Sequence, residues 1–219
     1  MLLAHHPELL ERLRAPTAAD PLRVLVSGCL AGRPCGVDGS DYGMGRSIPE
    51  LLALPLLRAF PFCPEEHALG VPRAMPDIHG GDGFDVIAGR ARVLDEHGAD
   101  LTDAMLDGAR AMLAFARASD VELAVLTDMS AACGTQVISD ACRLVPERRY
   151  RWGVGVASAT LLSAGVLVVS QRDFRTLAAL RARLDPGYRA PPGLLDHHRH
   201  PWVLAHLPGS HPRADARGR

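Results

Sequence analysis

Short apolar runs that alternate with helical segments are the feature that most restricts how this 219-residue chain can fold. The runs at residues 22–27, 121–127 and 166–170 are rich in Val and Leu, which is typical of strands buried on both faces of a sheet. Helical patterns lie between them, and the strongest covers residues 100–119. We therefore predict an α/β fold: a parallel sheet flanked by helices, with the functional site at the carboxyl edge of the strands.

Composition separates the chain into three parts. Residues 1–20 predict a helical extension at the N-terminus, residues 21–172 hold the α/β domain, and residues 173–219 predict a further helix and a tail rich in Pro, His and Arg. Inside the domain, the pattern predicts a helix over residues 48–58. Residues 70–90 are rich in Gly and Pro and predict a long loop. A loop of that length in a compact domain is usually functional or disordered.

The absence of lysine removes several kinds of chemistry. All 24 Lys and Arg positions are Arg, so the chain has no amine for a Schiff base and no lysine for a phosphate-binding P-loop. The formal net charge of −1 argues against bulk electrostatic attraction to nucleic acid. One basic and aromatic segment is nevertheless suited to RNA such as tRNA, with an exposed loop as the alternative. Its residues are Arg143, Arg148, Arg149, Tyr150, Arg151 and Trp152.

The sequence also predicts the cellular compartment. No apolar run approaches the ~18 residues that span a bilayer. The N-terminus lacks the basic segment and the continuous apolar core of a signal peptide. We therefore expect a cytoplasmic protein without membrane contact, in which five cysteines are poor material for a disulfide framework.

Three cysteines each follow a predicted strand. Cys29 comes just after the first strand, Cys63 follows a short apolar run at residues 59–62, and Cys133 lies on the loop after residues 121–127. Because the carboxyl ends of parallel strands lie at one edge of a sheet, these thiols are expected to converge. Converged thiolates bind zinc or iron–sulfur clusters. The alternative is that they are ordinary buried cysteines.

Several segments together resemble the signature of a bacterial and archaeal family. That family was long labelled a domain of unknown function, and it includes the 2-thiouracil desulfidases. The matching segments follow the family's order and cover about residues 22–170. They read SGCLAGRPCGVDG at residues 27–39, CPE at 63–65, PRAMPDIHGGDGFDVIAGRARV at 72–93, LTDMSAACG at 126–134 and GVGVASATLLSAGVLVVS at 153–170. Each segment alone is a weak signal, but the ordered set is specific.

The resemblance implies a Rossmann-like domain that holds an oxygen-sensitive 4Fe–4S cluster with three cysteine ligands and one open iron. Carried over by motif, the ligands would be Cys29, Cys63 and Cys133. Cys35 lies in the first motif too, where family members often have a different residue, so we rank it below Cys29. Cys142 matches no motif and is expected to be structural.

The expected reaction replaces the sulfur of a thiolated pyrimidine, as a free base or in tRNA, by oxygen and releases hydrosulfide. An open iron suits a soft thiocarbonyl sulfur and acts as a Lewis acid, while a general base activates water. Glu65, two residues after Cys63, is expected to be that base, and Ser130 is expected to orient substrate or water. The family usually has S-P-S-C-G where this chain has SAACG, so the second serine is lost.

Three further residues are expected to bind substrate. Arg73 would contact an oxygen or a phosphate, Asp82 would bind the pyrimidine edge, and Gly134 directly follows Cys133. Each has a structural alternative: Arg73 also fits an exposed surface and Asp82 a turn. Glu65 equally suits the start of a helix.

Two other functions stay open from the sequence. One is a non-catalytic iron–sulfur or zinc protein for sensing or sulfur handling, and the other is an α/β binding domain without metal. His197, His198 and His200 are of the type that binds metals, but no ordered element is predicted around them, so we interpret them as a solvated tail. The oligomeric state is open.

Overall fold

The computed structural model describes residues 7–207. The strands are β1 (Leu22–Ser27), β2 (Leu57–Phe62), β3 (Asp77–His79), β4 (Arg92–Leu94), β5 (Leu123–Leu126), β6 (Val137–Ser139), β7 (Tyr150–Trp152) and β8 (Leu167–Ser170). The α-helices are α1 (Pro49–Leu52), α2 (Pro64–Leu69), α3 (Gly83–Ile87), α4 (Thr102–Ala118), α5 (Val156–Ser163), α6 (Phe174–Leu184) and α7 (Pro201–His206). Short 3-10 helices cover Pro7–Arg12, Gly28–Ala31, Met44–Arg46 and His197–Arg199.

A four-stranded sheet in the order β2-β1-β5-β8 forms the centre of the protein. Every neighbouring pair in it is parallel, so the predicted α/β fold with a parallel sheet flanked by helices is confirmed. The chain adds β2 on one side of β1 and β5 on the other. The crevice between β1 and β5 is therefore the topological switch point, where open α/β sheets bind their ligands.

Helices α4 and α5 pack against one face of the sheet. Leu25 of β1 and Leu126 of β5 pack there with Met105 and Met112 of α4 and with Leu161 of α5. All five side chains are shielded from solvent. Successive side chains of a strand point to opposite faces, so the residues before and after Leu25 and Leu126 point to the other face of the sheet. That face must be covered as well.

The opposite face is covered by segments from the two ends of the described chain. Leu10 of the first 3-10 helix and Leu180 of α6 pack with Val24 and Val125 of the strands. The described parts of both predicted end segments thus contribute to the core. Residues 1–6 of the predicted N-terminal extension and residues 208–219 of the predicted tail lie outside the described residues.

Two predictions of local structure were wrong. The helix predicted over residues 48–58 ends at Leu52, and Leu57 already belongs to β2. Pro55 disfavours a helical conformation at the residue before it and cannot donate a helical hydrogen bond. The predicted loop at residues 70–90 contains β3 and α3, of three and five residues, which are too short to produce a clear hydrophobic period.

Two small antiparallel sheets hold the loops outside the central sheet. Strand β3 pairs with β4, and β6 pairs with β7. Within residues 7–207, we find no helix with both the length and the apolar character that a membrane crossing requires.

Helices α2 and α4 approach each other closely at a glycine. A Cβ atom on Gly108 would lie 2.3 Å from the carbonyl oxygen of Pro64, far below a van der Waals distance. Pro64 is the first residue of α2 and directly follows Cys63. The absence of a side chain at Gly108 therefore fixes where α2, and with it Cys63, can lie.

Gly108→Ala is expected to destabilise the protein by about 1–3 kcal/mol, because α2 must move away from α4. The intrinsic helix propensity works in the other direction by about 1 kcal/mol. Urea unfolding measures the difference. The neighbouring exposed residue supplies the control: Asp107→Ala should change the free energy of unfolding by no more than about 0.5 kcal/mol. A Gly108→Ala protein that gains the full ~1 kcal/mol of helix propensity over the wild type would contradict the close contact.

Candidate metal centre at the switch point

A cavity of about 260 Å³ opens at the carboxyl edge of the sheet. It lies at the switch point, because residues that follow β1, β2 and β5 all line it. Its lining includes four of the five cysteines: Cys29, Cys35, Cys63 and Cys133.

The structure brings together the three cysteines that the sequence placed at strand ends. Cys29 lies in the 3-10 helix directly after β1, and its Sγ is 3.0 Å from Oγ1 of Thr127, which follows β5. Cys63 is the N-cap of α2, and its Sγ accepts a hydrogen bond from the backbone amide of Glu66 at 3.4 Å. Cys133 is buried on the loop after β5. Parallel strand ends therefore converge as the topology predicts.

Cys35 joins them from a loop and does not follow a strand. Its side chain is buried and forms hydrogen bonds with the thiols of both Cys29 and Cys63. A Cβ atom on Gly28 would lie 3.0 Å from Sγ of Cys35 and 3.3 Å from Cβ of Cys63. Glycine at position 28 therefore leaves the space in which these thiols meet.

The contacts of Cys35 make its neighbours more acidic. Its hydrogen bond lowers the pKa of Cys29 to about 7, against the opposing effect of burial. It also lowers the pKa of Cys63, while hydrogen bonding with Cys29 and Cys63 raises the pKa of Cys35 itself. Burial raises the pKa of Cys133. Since the thiolate is the metal ligand, Cys29 and Cys63 are the thiols best prepared to bind a metal.

The turn that carries Cys133 is held by two serines. Oγ of Ser130 accepts a hydrogen bond from the backbone amide of Cys133 at 3.0 Å. Oγ of Ser158, in α5, donates to the carbonyl oxygen of Cys133 at 2.8 Å. Gly155, just before α5, lets this helix approach, because a Cβ atom there would lie 2.3 Å from the carbonyl oxygen of Ala132. The position of Cys133 is thus fixed from both sides.

Glu65, Ser130 and Arg73 form one connected group on the wall of the cavity. Oγ of Ser130 donates to Oε1 of Glu65 at 3.0 Å, and Nη2 of Arg73 donates to Oε2 at 2.8 Å. Only 5% of the Arg73 side chain and 12% of the Glu65 side chain are exposed. Burial alone would lower the pKa of Arg73, but the Glu65 carboxylate outweighs it and raises that pKa. The pair is therefore charged, shielded and held in one orientation.

Two residues that we expected to bind substrate lie outside the cavity lining. Asp82 is the N-cap of α3, where its Oδ1 accepts hydrogen bonds from the amides of Phe84 and Asp85 at 2.9 and 3.3 Å. We therefore assign it a capping role. Gly134 is buried behind Cys133, and its amide donates to the carbonyl oxygen of Ser130 at 2.8 Å. It shapes the turn that presents Cys133.

Sequence reasoning missed Asp128, which lines the cavity beside these residues. Its Oδ1 accepts hydrogen bonds from the amides of Thr135 and Gln136 at 2.7 and 3.2 Å. Its Oδ2 lies 2.6 Å from Nδ1 of His197. Burial would raise the pKa of Asp128, but the contact with His197 and the amides lowers it to about 2. Asp128, like the three cysteines, follows a predicted strand, so the sequence already contained the signal that would have placed it at this edge.

The interpretation of His197 as part of a solvated tail was wrong. Its side chain is only 4% exposed, because the 3-10 helix His197–Arg199 folds back over the loop after β5. An aspartate 69 positions earlier is its partner. No local sequence pattern reveals a pair that far apart.

Several side chains of the basic and aromatic segment form contacts within the protein. Arg143 lines the cavity; its Nε donates to Oδ1 of Asp77 at 2.7 Å, and its Nη1 to the carbonyl oxygen of Met129 at 3.1 Å. The ring of Tyr150 meets that of Trp202 edge-on at 4.9 Å between centroids. Arg143 therefore belongs to the cavity wall.

The fold and the cavity define the class of this protein: it is a parallel α/β protein with a thiol-lined cavity at the switch point of its sheet. Comparison with known proteins gives the family. The family model described as "2-thiouracil desulfurase" matches residues 24–173, and the chain belongs to this family. The resemblance found in the sequence is therefore confirmed.

Two relatives illustrate the match. The uncharacterized protein YbbK of Bacillus subtilis (strain 168) is 30% identical over 155 residues, which cover 70% of this chain and 99% of YbbK. The solved structure of the [4Fe-4S]-dependent thiouracil desulfidase TudS is similar, with a TM-score of 0.60 and 28% identity. That match covers 74% of this chain and 98% of TudS.

A buried carboxylate beneath the centre should make stability depend on pH. Oδ1 of Asp173 accepts a hydrogen bond from the amide of His197 at 3.1 Å, and Oδ2 accepts one from the amide of Ser170 at 3.0 Å. Burial, with repulsion from Asp196, raises the pKa of Asp173 to about 7. Between about pH 4 and pH 7 the folded protein therefore keeps a proton that the unfolded chain has released.

The contribution of Asp173 to stability should accordingly fall as the pH rises from about 4 to 7, by at most about 4 kcal/mol. Asp173→Asn removes this titration, so its unfolding free energy should fall less steeply across the window than that of the wild type. Urea unfolding at a series of pH values measures both slopes. The exposed Asp103→Asn should keep the wild-type slope. Parallel profiles for the wild type and Asp173→Asn would refute the assignment.

Proposed function

We propose that this protein binds a 4Fe–4S cluster and replaces the sulfur of a thiolated pyrimidine by oxygen, releasing hydrosulfide. One observation supports this most directly. In a chain of the 2-thiouracil desulfurase family, Cys29, Cys63 and Cys133 line one cavity together with the oriented carboxylate of Glu65.

The residues present fit such a cluster. Cysteine thiolates are its usual ligands, and the cavity offers them from three separate strand ends. A Cβ atom at Gly28 would crowd Sγ of Cys35 and Cβ of Cys63, at 3.0 and 3.3 Å, so glycine leaves room beside these thiols. Cys29, Cys63 and Cys133 would hold the cluster. When bound, it supplies an iron that attracts a thiocarbonyl sulfur and withdraws electron density from the attached carbon.

Glu65 is suited to act as the general base. Both of its oxygens are held, one by Ser130 and one by Arg73, so the carboxylate cannot rotate. In the proposed reaction, Glu65 accepts a proton from a water molecule as the water oxygen bonds to the thiocarbonyl carbon. The overall exchange consumes one water and releases one hydrogen sulfide, so it needs neither an oxidant nor a reductant.

Ser130 and Arg73 are proposed to position Glu65. The Ser130 hydroxyl donates to Glu65 and accepts from the amide of Cys133, so it ties the base to a cysteine of the centre. Arg73 also donates to the carbonyl oxygen of Cys35 at 3.0 Å. Base and thiols are therefore fixed relative to each other, which general base catalysis requires.

The size of the cavity favours a small substrate. Its volume of about 260 Å³ lies below the ~300–1,000 Å³ of sites for drug-sized ligands. We therefore propose a free thiolated base, such as 2-thiouracil, in preference to a thiolated nucleotide in tRNA. A cytoplasmic location is part of the same proposal.

The isosteric variant Glu65→Gln tests the chemistry. It should lower kcat for conversion of 2-thiouracil to uracil by about 10²- to 10⁴-fold, because the base is lost. Its iron and sulfide content should equal that of the wild type. Turnover is followed anaerobically by the loss of thiocarbonyl absorbance and by released sulfide.

A matched control separates catalysis from fold. Glu147→Gln alters an exposed glutamate outside the cavity lining and should leave kcat unchanged. Full turnover by Glu65→Gln would remove this residue from the mechanism. A wild-type protein that holds the cluster but converts neither 2-thiouracil nor a thiolated nucleoside would instead be a non-catalytic iron–sulfur protein.

A further inference from the structure

The lining of the cavity contains an apolar part that the proposed reaction does not use. Its residues are Val37, Tyr42, Met44, Met75, Pro76 and Met129. Among the described residues, two arginines also line the cavity, Arg73 and Arg143. Arg73 is committed to Glu65 and to the loop of Cys35. The hydrogen bonds of Arg143 lead neither to the thiols nor to Glu65, so the reaction centre does not explain its place in the wall.

A buried aspartate holds Arg143 in place. Oδ1 of Asp77 accepts a hydrogen bond from Nε of Arg143 at 2.7 Å, and Oδ2 accepts one from its backbone amide, also at 2.7 Å. The Asp77 side chain is only 2% exposed, and that of Arg143 is 19% exposed. If Arg143 swung into solvent, a buried carboxylate would lose its cation, which is strongly unfavourable. The guanidinium is therefore fixed in the cavity wall.

One N–H group of this guanidinium is left for a ligand. Nη1 donates to the carbonyl oxygen of Met129 at 3.1 Å, while Nη2 donates to the carbonyl oxygen of Pro76 at 3.4 Å and lies 2.7 Å from Oδ1 of Asp77. Each Nη of a guanidinium carries two N–H groups. Within residues 7–207, Nη1 has an acceptor for only one of them. A charged donor at the wall of a cavity favours a ligand that offers an oxygen acceptor.

The backbone around Arg143 adopts conformations that residues other than glycine rarely take. Met129, whose carbonyl oxygen holds Nη1, has a φ of +62°, and Ala141, two residues before Arg143, has a φ of +67°. The Ala141 amide donates to the carbonyl oxygen of Ile78, the residue after Asp77, at 3.1 Å. Such conformations cluster at ligand-binding sites, where the surrounding structure enforces them. They are a second observation that marks Arg143 as part of a binding site.

A planar heterocycle with a carbonyl oxygen matches this part of the cavity. The thioethers of Met75 and Met129 suit the face of a ring, and a guanidinium suits an oxygen at its edge. Besides the thiocarbonyl that would react, 2-thiouracil has one carbonyl oxygen that the reaction leaves unchanged. In apolar surroundings that oxygen loses its hydrogen bonds to water, which is costly unless a donor replaces them. Arg143 supplies such a donor, since Arg73 already holds Glu65.

We propose that Arg143 donates a hydrogen bond to the ring carbonyl oxygen of the thiolated pyrimidine and thereby determines which thiolated rings the protein accepts. The inference rests on the proposed function for the class of substrate. Arg143 is then a substrate-binding residue, and Asp77 positions it. A ring that carries a thiocarbonyl but no second carbonyl oxygen should bind weakly, because it leaves this donor without an acceptor.

Two unreactive ligands test this recognition without turnover. Uracil has the ring carbonyl oxygen, whereas pyrimidin-2-one lacks it together with one ring N–H group. The protein would be reconstituted anaerobically with iron and sulfide, and the dissociation constants would be measured by equilibrium dialysis. The wild type should bind uracil about 10- to 100-fold more tightly than pyrimidin-2-one, which corresponds to one hydrogen bond to a charged group.

Two variants assign the preference to Arg143. Arg143→Met removes the donors and keeps an unbranched side chain. It should weaken uracil binding by about 10- to 100-fold and leave the binding of pyrimidin-2-one unchanged. The matched control is Arg117→Met, at an exposed arginine of α4 outside the cavity lining, which should keep the wild-type preference. Because Asp77 loses its cation in Arg143→Met, the double variant Asp77→Asn/Arg143→Met would be measured as well.

The outcomes separate this inference from the proposed function. A wild type that binds both ligands equally, or does not bind uracil, would overturn the role of Arg143 even if the variants do not fold. An Arg143→Met protein that keeps the preference would overturn it too. If uracil binding depends on Arg143 but 2-thiouracil is not converted, the proposed reaction fails and the binding role stands. If 2-thiouracil is converted without any dependence of the preference on Arg143, only the binding role is wrong.

Discussion

The parallel pairing of β1 with both β2 and β5 is the constraint on which the centre depends. Register places the ends of these strands side by side: Ser27 pairs with Phe62, and Val26 pairs with Val125. The residues that follow each strand therefore emerge at one edge, and three of them are cysteines. A buried core on both faces of the sheet holds this edge rigid. Glycines permit the remaining close approaches, with Gly28 next to the thiols and Gly108 beneath α2.

A buried polar network extends this constraint to the C-terminal part of the chain. One oxygen of Asp128 accepts hydrogen bonds from backbone amides of the loop that carries Ser130 and Cys133. The other oxygen pairs with the His197 ring. Breaking such a network exposes buried charges to an apolar environment, which costs several kcal/mol. Residues beyond the family match at 24–173 thus help to shape the site. The end of the chain is part of the architecture of the centre, although the family motifs do not include it.

The sequence predicted what depends on regular pattern and topology. The buried apolar runs predicted the parallel sheet. The positions of Cys29, Cys63 and Cys133 after strands predicted that the three thiols lie together. The sequence failed where distant contacts decide. Cys35 reaches the cavity because Arg73 and Gly28 shape its loop, and His197 is buried by an aspartate 69 positions away. In each of these cases, the partner that decides the outcome leaves no periodic signal in the sequence.

The proposed function depends on a 4Fe–4S cluster held by Cys29, Cys63 and Cys133. The most direct measurement is the iron and acid-labile sulfide content per chain after anaerobic purification, recorded together with the visible spectrum. We predict about four iron and four sulfide per chain and the broad brown absorption of a thiolate-bound cluster. A colourless protein that contains no iron, even after anaerobic reconstitution, would contradict cluster binding.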